Sequence, residues 1–574
     1  MMVLGAQELS ECMVSLGYIP KRTPPNFDQV FIGEVQSEFG PVKVRIEDIF
    51  EELIPYPKAY IVELPPELEN KFLPHLNSDK SLCYLDEETT SLWVIDPETT
   101  LATFVEAINT RIQEWGKDTI TSRDFQQELT SYWKGEYQVF DVSNDRESGM
   151  YAFYKRLSIN GKEETEVVLS STIEDANQWI KKRRGEKSQS TGIFIPVDFR
   201  QPPAVPHHID WPPKNFSGFI NWLSSVDPHA KNSLVHKIVK YVDKKGIIFI
   251  SFRYQEEDIG FSVDMTKESI PIIQRLNPKR SSAKRPQKRQ SNIHQSTSSI
   301  AKLTRSFIRA NVKDVSSSFV VKRNRNTAND EGLEGKRVAL IGCGTIGSYT
   351  AHSLIQIGAG SGAKGELHLY DDDILGPGNL GRHLLGVEYL QEQKSFALKY
   401  FLDNQGIANS IFGHGNFCKE DIVKRWDVII DATGHTEFSL NLSRWVNTAN
   451  WNSKRPALIH GWVDAYGLAS RALLNTAGTA CFGCLTSENG GTRKPRFELF
   501  KPGNEPTHAE QFRRGCGKTY MPFSAQPSLS AAGMIQQLCS QTGPTFMQTR
   551  FSDQILSVKN QRLTPLSSCA ICSK

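Results

Sequence analysis

The stretch Arg337-Val-Ala-Leu-Ile-Gly-Cys-Gly-Thr-Ile-Gly347 constrains this chain more than any other. Residues 338–341 form an apolar run that reads as a buried strand. It ends in Gly342-x-Gly344-x-x-Gly347, and residues 348–355 then take up helical spacing. Strand, glycine turn and helix together make a phosphate cradle, because glycines let the backbone approach an anion and a helix N-terminus offers free N–H groups. Such a motif serves NAD, FAD and ATP alike, so the residues downstream of it decide the case. A second strand at 366–370 ends in Asp371-Asp372-Asp373, where an acidic residue commonly holds a ribose. An oxidoreductase would use that much. It would have no use for Asn379-Leu-Gly-Arg382-His383 followed by Lys394. An amide and two cations beyond the ribose-binding acid suit the phosphates of ATP, where arginine and lysine neutralise charge that develops as phosphorus is attacked.

In this order and spacing, Gly342/Gly344/Gly347, Asp371/Asp373, Asn379/Arg382 and Lys394 resemble the adenylation domain of ubiquitin-activating enzymes and of the bacterial sulfur-carrier adenylyltransferases, the ThiF/MoeB type. The resemblance implies a Rossmann-like α/β domain over residues 332–574 that uses ATP and Mg2+. Gly342, Gly344, Gly347, Asp371, Asp373 and Asn379 would surround the nucleotide, and Arg382 and Lys394 would stabilise phosphate charge. One position departs from the pattern. That family usually has a magnesium-binding Asp where Gly434 stands, after the strand at 427–431. Asp431, Asp371 and Asp373 are the alternatives, as is a metal held mainly by the phosphates.

Ten cysteines in 574 residues point to metal or catalytic thiols and not to a disulfide framework. Cys481-Phe-Gly-Cys484 and Cys569-Ala-Ile-Cys572 are two C-x-x-C knuckles, and four thiolates from two knuckles fit a closed, structural, tetrahedral zinc site. Such a site would tie the C-terminal tail back onto its domain. Between the knuckles, Arg513-Arg-Gly-Cys516-Gly-Lys518 sets a cysteine among cations, which raise the thiolate fraction. The resembled family commonly carries its active-site cysteine on a loop between the knuckles, so Cys516 is the candidate for an activating thioester. Cys343, Cys12, Cys418 and Cys539 read as structural.

Residues 1–118 read as a small α+β domain: a helix, strands at 29–35, 42–46 and 59–64, a long loop, and a helix within 100–112. The loop carries His75, Asn77, Leu82 and Cys83, which resemble the signature of ubiquitin-conjugating enzymes, with Leu76 in place of a proline and a shorter Asn-to-Cys gap. By that resemblance Cys83 carries a thioester and Asn77 stabilises the oxyanion of aminolysis, while His75 is a structural loop residue. A thiolate suits both roles, being nucleophilic and a good leaving group. The alternative is a buried loop cysteine in an inactive adaptor domain.

Residues 119–276 alternate strand-like and helical runs and read as an α/β bridging domain without a metal or nucleophile constellation. Thr172-Ile-Glu-Asp175 looks like a capping box opening a helix through Lys182. His207-His208 in a proline-rich turn have no third ligand nearby. Residues 277–331 are expected to be a basic flexible linker, since the tract begins Asn277-Pro-Lys-Arg and lacks apolar periodicity. No aromatic residues interleave those charges, and the net charge is only +3, so no specific nucleic-acid binding is expected. With no basic-then-apolar leader and no apolar run long enough for a bilayer, the chain is expected to be cytoplasmic and free of membrane.

The order of domains, conjugating-like first and activating-like last, resembles the fused activating and conjugating proteins of bacterial cyclic-oligonucleotide (CBASS) anti-phage systems, the CD-NTase-associated protein 2 type. That resemblance implies a relay from ATP to Cys516, to Cys83, to a lysine or other amine. It also implies a cGAS/DncV-like nucleotidyltransferase (CD-NTase) as the protein whose free C-terminus is activated, and a homodimer formed through the adenylation domain. The chain as read ends in Cys572-Ser-Lys574 and not Gly-Gly, so the modifier is expected to be another protein. Three rivals stand beside this reading: a sulfur-carrier adenylyltransferase with a dispensable Cys83, a non-catalytic nucleotide-binding scaffold, and a dinucleotide oxidoreductase.

Overall fold

In a computed structural model of the chain, the described residues are 6–21, 30–49, 56–69, 71–77, 79–85, 96–115, 125–205, 210–241, 247–265, 304–323, 332–451, 454–489, 492–504, 512–513, 519–520, 523–540 and 542–573. They fall into two compact units, Met1–Asp314 and Val315–Lys574. Among the described residues no helix is long and apolar enough to cross a membrane.

The first unit begins with the helix Ala6–Ser15 and a five-stranded antiparallel sheet in sequence order, Ile19–Pro20, Phe31–Ser37, Gly40–Glu47, Lys58–Glu63 and Ser81–Leu82. Strict alternation makes one face of this sheet apolar: Val42, Val44 and Ile46 are buried, and their neighbours are not. The helix Pro97–Gln113 starts where Asp96 accepts the Thr99 N–H (3.2 Å), and it covers that face with Leu101, Phe104, Ile108 and Ile112.

The middle of the chain closes into a barrel. Its strands run, round the ring, Ile247–Tyr254, Glu257–Met265, Thr304–Asp314, Tyr137–Asp141, Glu163–Ser170, Gly149–Leu157 and Gly185–Asp198. The helix Ile173–Lys182 opens where Thr172 caps the Asp175 N–H (3.2 Å), as its sequence predicts. The linker reading of 277–331 needs correction at two places. Thr304–Asp314 pairs antiparallel with Glu257–Met265 and parallel with Tyr137–Asp141, so it closes the barrel, and Ser317–Arg323 is a helix. Arg309, Asn311 and Lys313 raise the polarity of that strand and mask the alternation of Ala310 and Val312, which enter the barrel interior. The basic stretch from Asn277 to Ser299, and His207 and His208, lie outside the described residues.

The second unit is a seven-stranded sheet in the order Ile411–His414, Glu366–Tyr370, Arg337–Ile341, Val428–Asp431, Ala457–Asp464, Ala469–Asn475, Phe546–Arg550. The first five strands are parallel, and Ala469–Asn475 runs antiparallel to both of its neighbours. Residues 338–341 are apolar throughout because both faces are covered. Val338 and Leu340 pack with the helices Thr345–Gln356, Lys394–Gln405 and Gln526–Cys539, while Ala339 and Ile341 pack with Thr436–Thr448. The strand order doubles back beside Arg337–Ile341, and in such sheets ligands bind outside the carboxyl ends of the strands at that crevice.

Candidate adenylation site and cysteine centres

The three glycines of the turn serve three different physical needs. Gly342 has φ +90 and lies so close to Ala432 and Thr433 that a Cβ would come within 3.0 Å of their backbone. A Cβ on Gly347 would sit 1.7 Å from the Gly342 carbonyl oxygen, so this helix packs onto the turn only with glycine there. Gly344 is different: it has an ordinary φ of −71, and a Cβ would meet nothing within 4 Å. It opens onto free space at the N-terminus of Thr345–Gln356, where a phosphate would approach.

Asp371 folds back over this turn. One carboxylate oxygen accepts the Cys343 N–H (2.6 Å) and the other accepts the Asp373 N–H (2.8 Å). Burial raises its pKa, against the pull of those two N–H groups and of Lys394. Asp373 is exposed and receives the ammonium of buried Lys394, whose backbone N–H also binds the Asp373 carbonyl (2.9 Å). Asn379 shapes the next turn: its side-chain oxygen accepts the Gly376 N–H (2.9 Å), and its carbonyl accepts the N–H groups of Arg382 (3.0 Å) and His383 (2.8 Å). The Arg382 guanidinium lies over the Phe523 ring, 4.6 Å from its centroid. The nucleotide-site candidates of the sequence therefore gather around the glycine turn at the carboxyl ends of the parallel strands. Cys516 lies outside the described residues.

Several positioning residues escaped the sequence reading. His383 is buried; its Nδ1 accepts the Leu385 N–H (3.1 Å), which leaves Nε2 to donate to the Cys343 carbonyl (2.8 Å). It thus pins the Arg382 segment to the glycine turn. Gln393 and Ser395 both donate to the Asp371 carbonyl (2.8 and 3.0 Å). A histidine between Arg382 and two leucines was the available signal for His383.

Asp431 is not free to take a metal. It is buried, and its oxygens accept Thr433 N–H (3.1 Å), Thr433 Oγ1 (2.7 Å), Ser439 Oγ (2.5 Å) and His460 Nδ1 (2.8 Å). Burial alone would raise its pKa, but His460 and the two hydroxyls hold it below the ordinary value. Of the three carboxylates, Asp373 has the most exposed side chain, and Asp371 is tied to the turn.

The four knuckle cysteines converge. Their sulfurs all lie within 4.8 Å of one another, at 3.9 Å for Cys481–Cys484, 3.6 Å for Cys481–Cys569 and 3.4 Å for Cys484–Cys572. Those separations are too long for disulfides. Four sulfurs about 2.3 Å from one tetrahedral centre would stand about 3.8 Å apart. The Leu566 N–H points at the Cys484 sulfur (3.4 Å), a donor suited to a thiolate.

In the first unit, the Cys83 side chain is exposed and not buried. Residues 75–77 and 81–83 pair as a short antiparallel ladder: Cys83 N–H binds the His75 carbonyl (2.8 Å), Leu76 bridges Leu82, and Asn77 N–H binds the Ser81 carbonyl (2.8 Å). Asn77 donates its side-chain amide to Ser81 Oγ (3.0 Å) and so sits two positions along the ladder from the cysteine. The residue opposite Cys83 is His75.

Residues 321–549 match the ThiF family. Similarity to curated proteins is wider. The ATP-dependent ubiquitin transferase-like protein Cap2 of Escherichia coli (strain TW11681) is 28% identical over 569 residues, covering 94% of this chain and 93% of that one. The proteins of the same description from Vibrio cholerae and Pseudomonas aeruginosa are 27% and 26% identical, covering 91% and 87% of this chain and 90% and 84% of their own length. The chain therefore carries a ThiF family domain and, along about nine-tenths of its length, is a homologue of the ATP-dependent ubiquitin transferase-like proteins.

Proposed function

We propose that this chain activates the C-terminal carboxylate of a protein substrate with ATP and passes the acyl group through two thioesters to an amine. The observation that carries the reading is the gathering of the open Gly344 cradle, Lys394 and Arg382 at one sheet crevice, in a chain that also exposes Cys83 on a built loop. The substrate carboxylate attacks the α-phosphorus; an O–P bond forms and the bond to pyrophosphate breaks. Lys394 and Arg382 bear on the negative charge that collects there. The Cys516 thiolate then attacks the acyl carbon, and the C–O bond to AMP breaks. Cys83 exchanges with Cys516, sulfur for sulfur. Finally an amine attacks, a C–N bond forms, the C–S bond breaks, and the amine's proton is lost to solvent or base. One chain bearing both cysteines raises the effective concentration of Cys83 near Cys516, which favours the exchange between them.

Mg2+ would be held by the phosphates with Asp373 and Asp371, and it would supply charge neutralisation. Zn2+ would be held by Cys481, Cys484, Cys569 and Cys572, whose spacing fits a closed site with structural use only. The ubiquitin-conjugating reading of residues 1–118 rests on the helix, meander, loop and helix order and on the Cys83 ladder. By resemblance to the anti-phage fusion proteins, the substrate is a cGAS/DncV-like nucleotidyltransferase, the conjugation primes anti-phage signalling in the cytoplasm, and the chain acts as a homodimer through its adenylation domain.

Thioester trapping tests this. Purified chain, MgATP and the partner nucleotidyltransferase are run on gels with and without reductant, for wild type, Cys516→Ala and Cys83→Ala. A reductant-sensitive adduct that is absent from Cys516→Ala and stalls on Cys516 in Cys83→Ala is the expected result. Pyrophosphate exchange without any adduct would leave a sulfur-carrier-type adenylyltransferase. An adduct that persists in Cys516→Ala would remove that cysteine from the relay.

A further inference from the structure

The Cys83 loop is held by the helical segment that leads into the barrel and not only by its own domain. The His75 N–H donates to the Tyr132 hydroxyl (2.8 Å), and that hydroxyl donates to Glu128 Oε2 (2.6 Å). Phe72, just before the loop, meets the edges of Phe125 and Tyr132 at centroid distances of 4.9 and 4.7 Å. The Trp115 indole, fully buried at the end of the N-terminal domain, donates to the Pro74 carbonyl (3.0 Å).

Tyr132 stands on the short helix Leu129–Trp133, whose next residue anchors it in the barrel. Trp133 is buried against Trp211, Phe219 and Phe261, and its indole donates to the Gly260 carbonyl (2.8 Å) on a barrel strand. The Trp211 indole in turn binds the Tyr132 carbonyl (3.1 Å). The helix is therefore a rigid post with Trp133 packed against the barrel wall and the Tyr132 hydroxyl set against the loop.

What the post holds is a residue in a left-handed turn. His75 has φ +61, a left-handed conformation that residues with a side chain adopt uncommonly, histidine more often than most. Its amide is taken by Tyr132, and its carbonyl receives the Cys83 N–H. A single residue thus separates the Tyr132 hydroxyl from the backbone of the thiol-bearing residue.

We infer that Tyr132, oriented by Glu128, is a positioning residue for Cys83, so that the barrel is a working part of the conjugating site and not a spacer. The inference rests on the reading of Cys83 as an acyl carrier. Tyr132 acts through His75 and not on the acyl group or the amine.

The test bypasses the ATP-dependent half. In the Cys516→Ala chain, Cys83 is loaded by thiol exchange with a glycyl thioester of 2-mercaptoethanesulfonate: the Cys83 sulfur bonds to the acyl carbon and the sulfonate thiol leaves. Discharge to free lysine is then followed across lysine concentrations, with amide hydrogen exchange of residues 75–83 measured in parallel. Tyr132→Phe should lower the maximal discharge rate at least tenfold with the half-saturating lysine concentration unchanged. It should also speed exchange at the Cys83 amide while barrel peptides and Tm hold. Glu128→Gln keeps an oxygen for the tyrosine proton and should retain most of the rate; Glu128→Leu should not. Unchanged discharge and exchange in Tyr132→Phe would overturn the inference, and so would a loss of Tm that accounts for the whole effect. If wild-type Cys83 exchanges into the thioester but never discharges to lysine, the acyl-carrier reading falls, and this inference with it; failure of pyrophosphate exchange alone touches neither.

Discussion

Three glycines in one turn look equivalent in a sequence, and the structure separates them. Gly347 is required by packing, since a Cβ there would overlap the Gly342 carbonyl, whereas Gly344 is required by nothing in the protein itself. Alanine at 344 should therefore leave folding intact and fill the cradle. Gly344→Ala is expected to keep its Tm within about 2 °C and to weaken ATP binding at least tenfold in titration calorimetry, the scale of a lost close backbone approach. Gly347→Ala should lower Tm as well, because the helix must move. Equal Tm losses in the two variants would refute this division of labour. His383 makes the same point: its importance lies in two hydrogen bonds to backbone that no spacing rule encodes.

At the level of elements, the adenylation sheet was legible because its signals are local. Residues 338–341, the acid after the next strand and the C-x-x-C pairs each declare themselves within a few positions. The barrel was not, because closure pairs Thr304–Asp314 with strands far away in sequence, and polar residues on its outer side dilute the alternation. That strand also brings Asp314 into a network with Arg253, Asp258, Arg146 and Asp141, which ties four strand ends together. Asp141 is fully buried, and one of its oxygens has no hydrogen-bond partner among the described residues. Burial pushes its pKa up to about 6, outweighing two hydrogen bonds from Ser143, with Asp258 adding to the rise and Arg146 opposing it. A carboxyl whose folded pKa exceeds its unfolded value of 3.8 binds its proton more tightly in the native state. Stability should therefore fall as pH rises from about 4 to about 6, by up to about 3 kcal/mol, and stay at the lower level above. Urea unfolding of the wild type across that window, beside Asp141→Asn, checks it; the same slope in both would exclude Asp141 as the source.

Across the whole molecule, the two units have separate apolar cores, one pair on the faces of the adenylation sheet and others in the N-terminal sheet and barrel. The four-cysteine cluster lies in the second unit alone, joining the turn after Ala469–Asn475 to the tail at 569–572. Stripping metal should thus lower the melting transition of Val315–Lys574 by about 10 °C or more, since a structural four-thiolate site contributes folding energy directly. The transition of the other unit should stay in place. Scanning calorimetry with and without a chelator reads both at once, and a uniform shift, or none, would count against a structural metal.

The barrel strand Thr304–Asp314 has one more consequence, for the order in which the chain is made. Synthesis runs from the N-terminus, and Glu257–Met265 and Tyr137–Asp141 each wait for this late strand to fill the place between them. Until residue 314 has left the ribosome, both edges stand open, templates for pairing with any other nascent chain. A gene fragment cut at residue 276, where composition suggests a natural end, would make that exposure permanent.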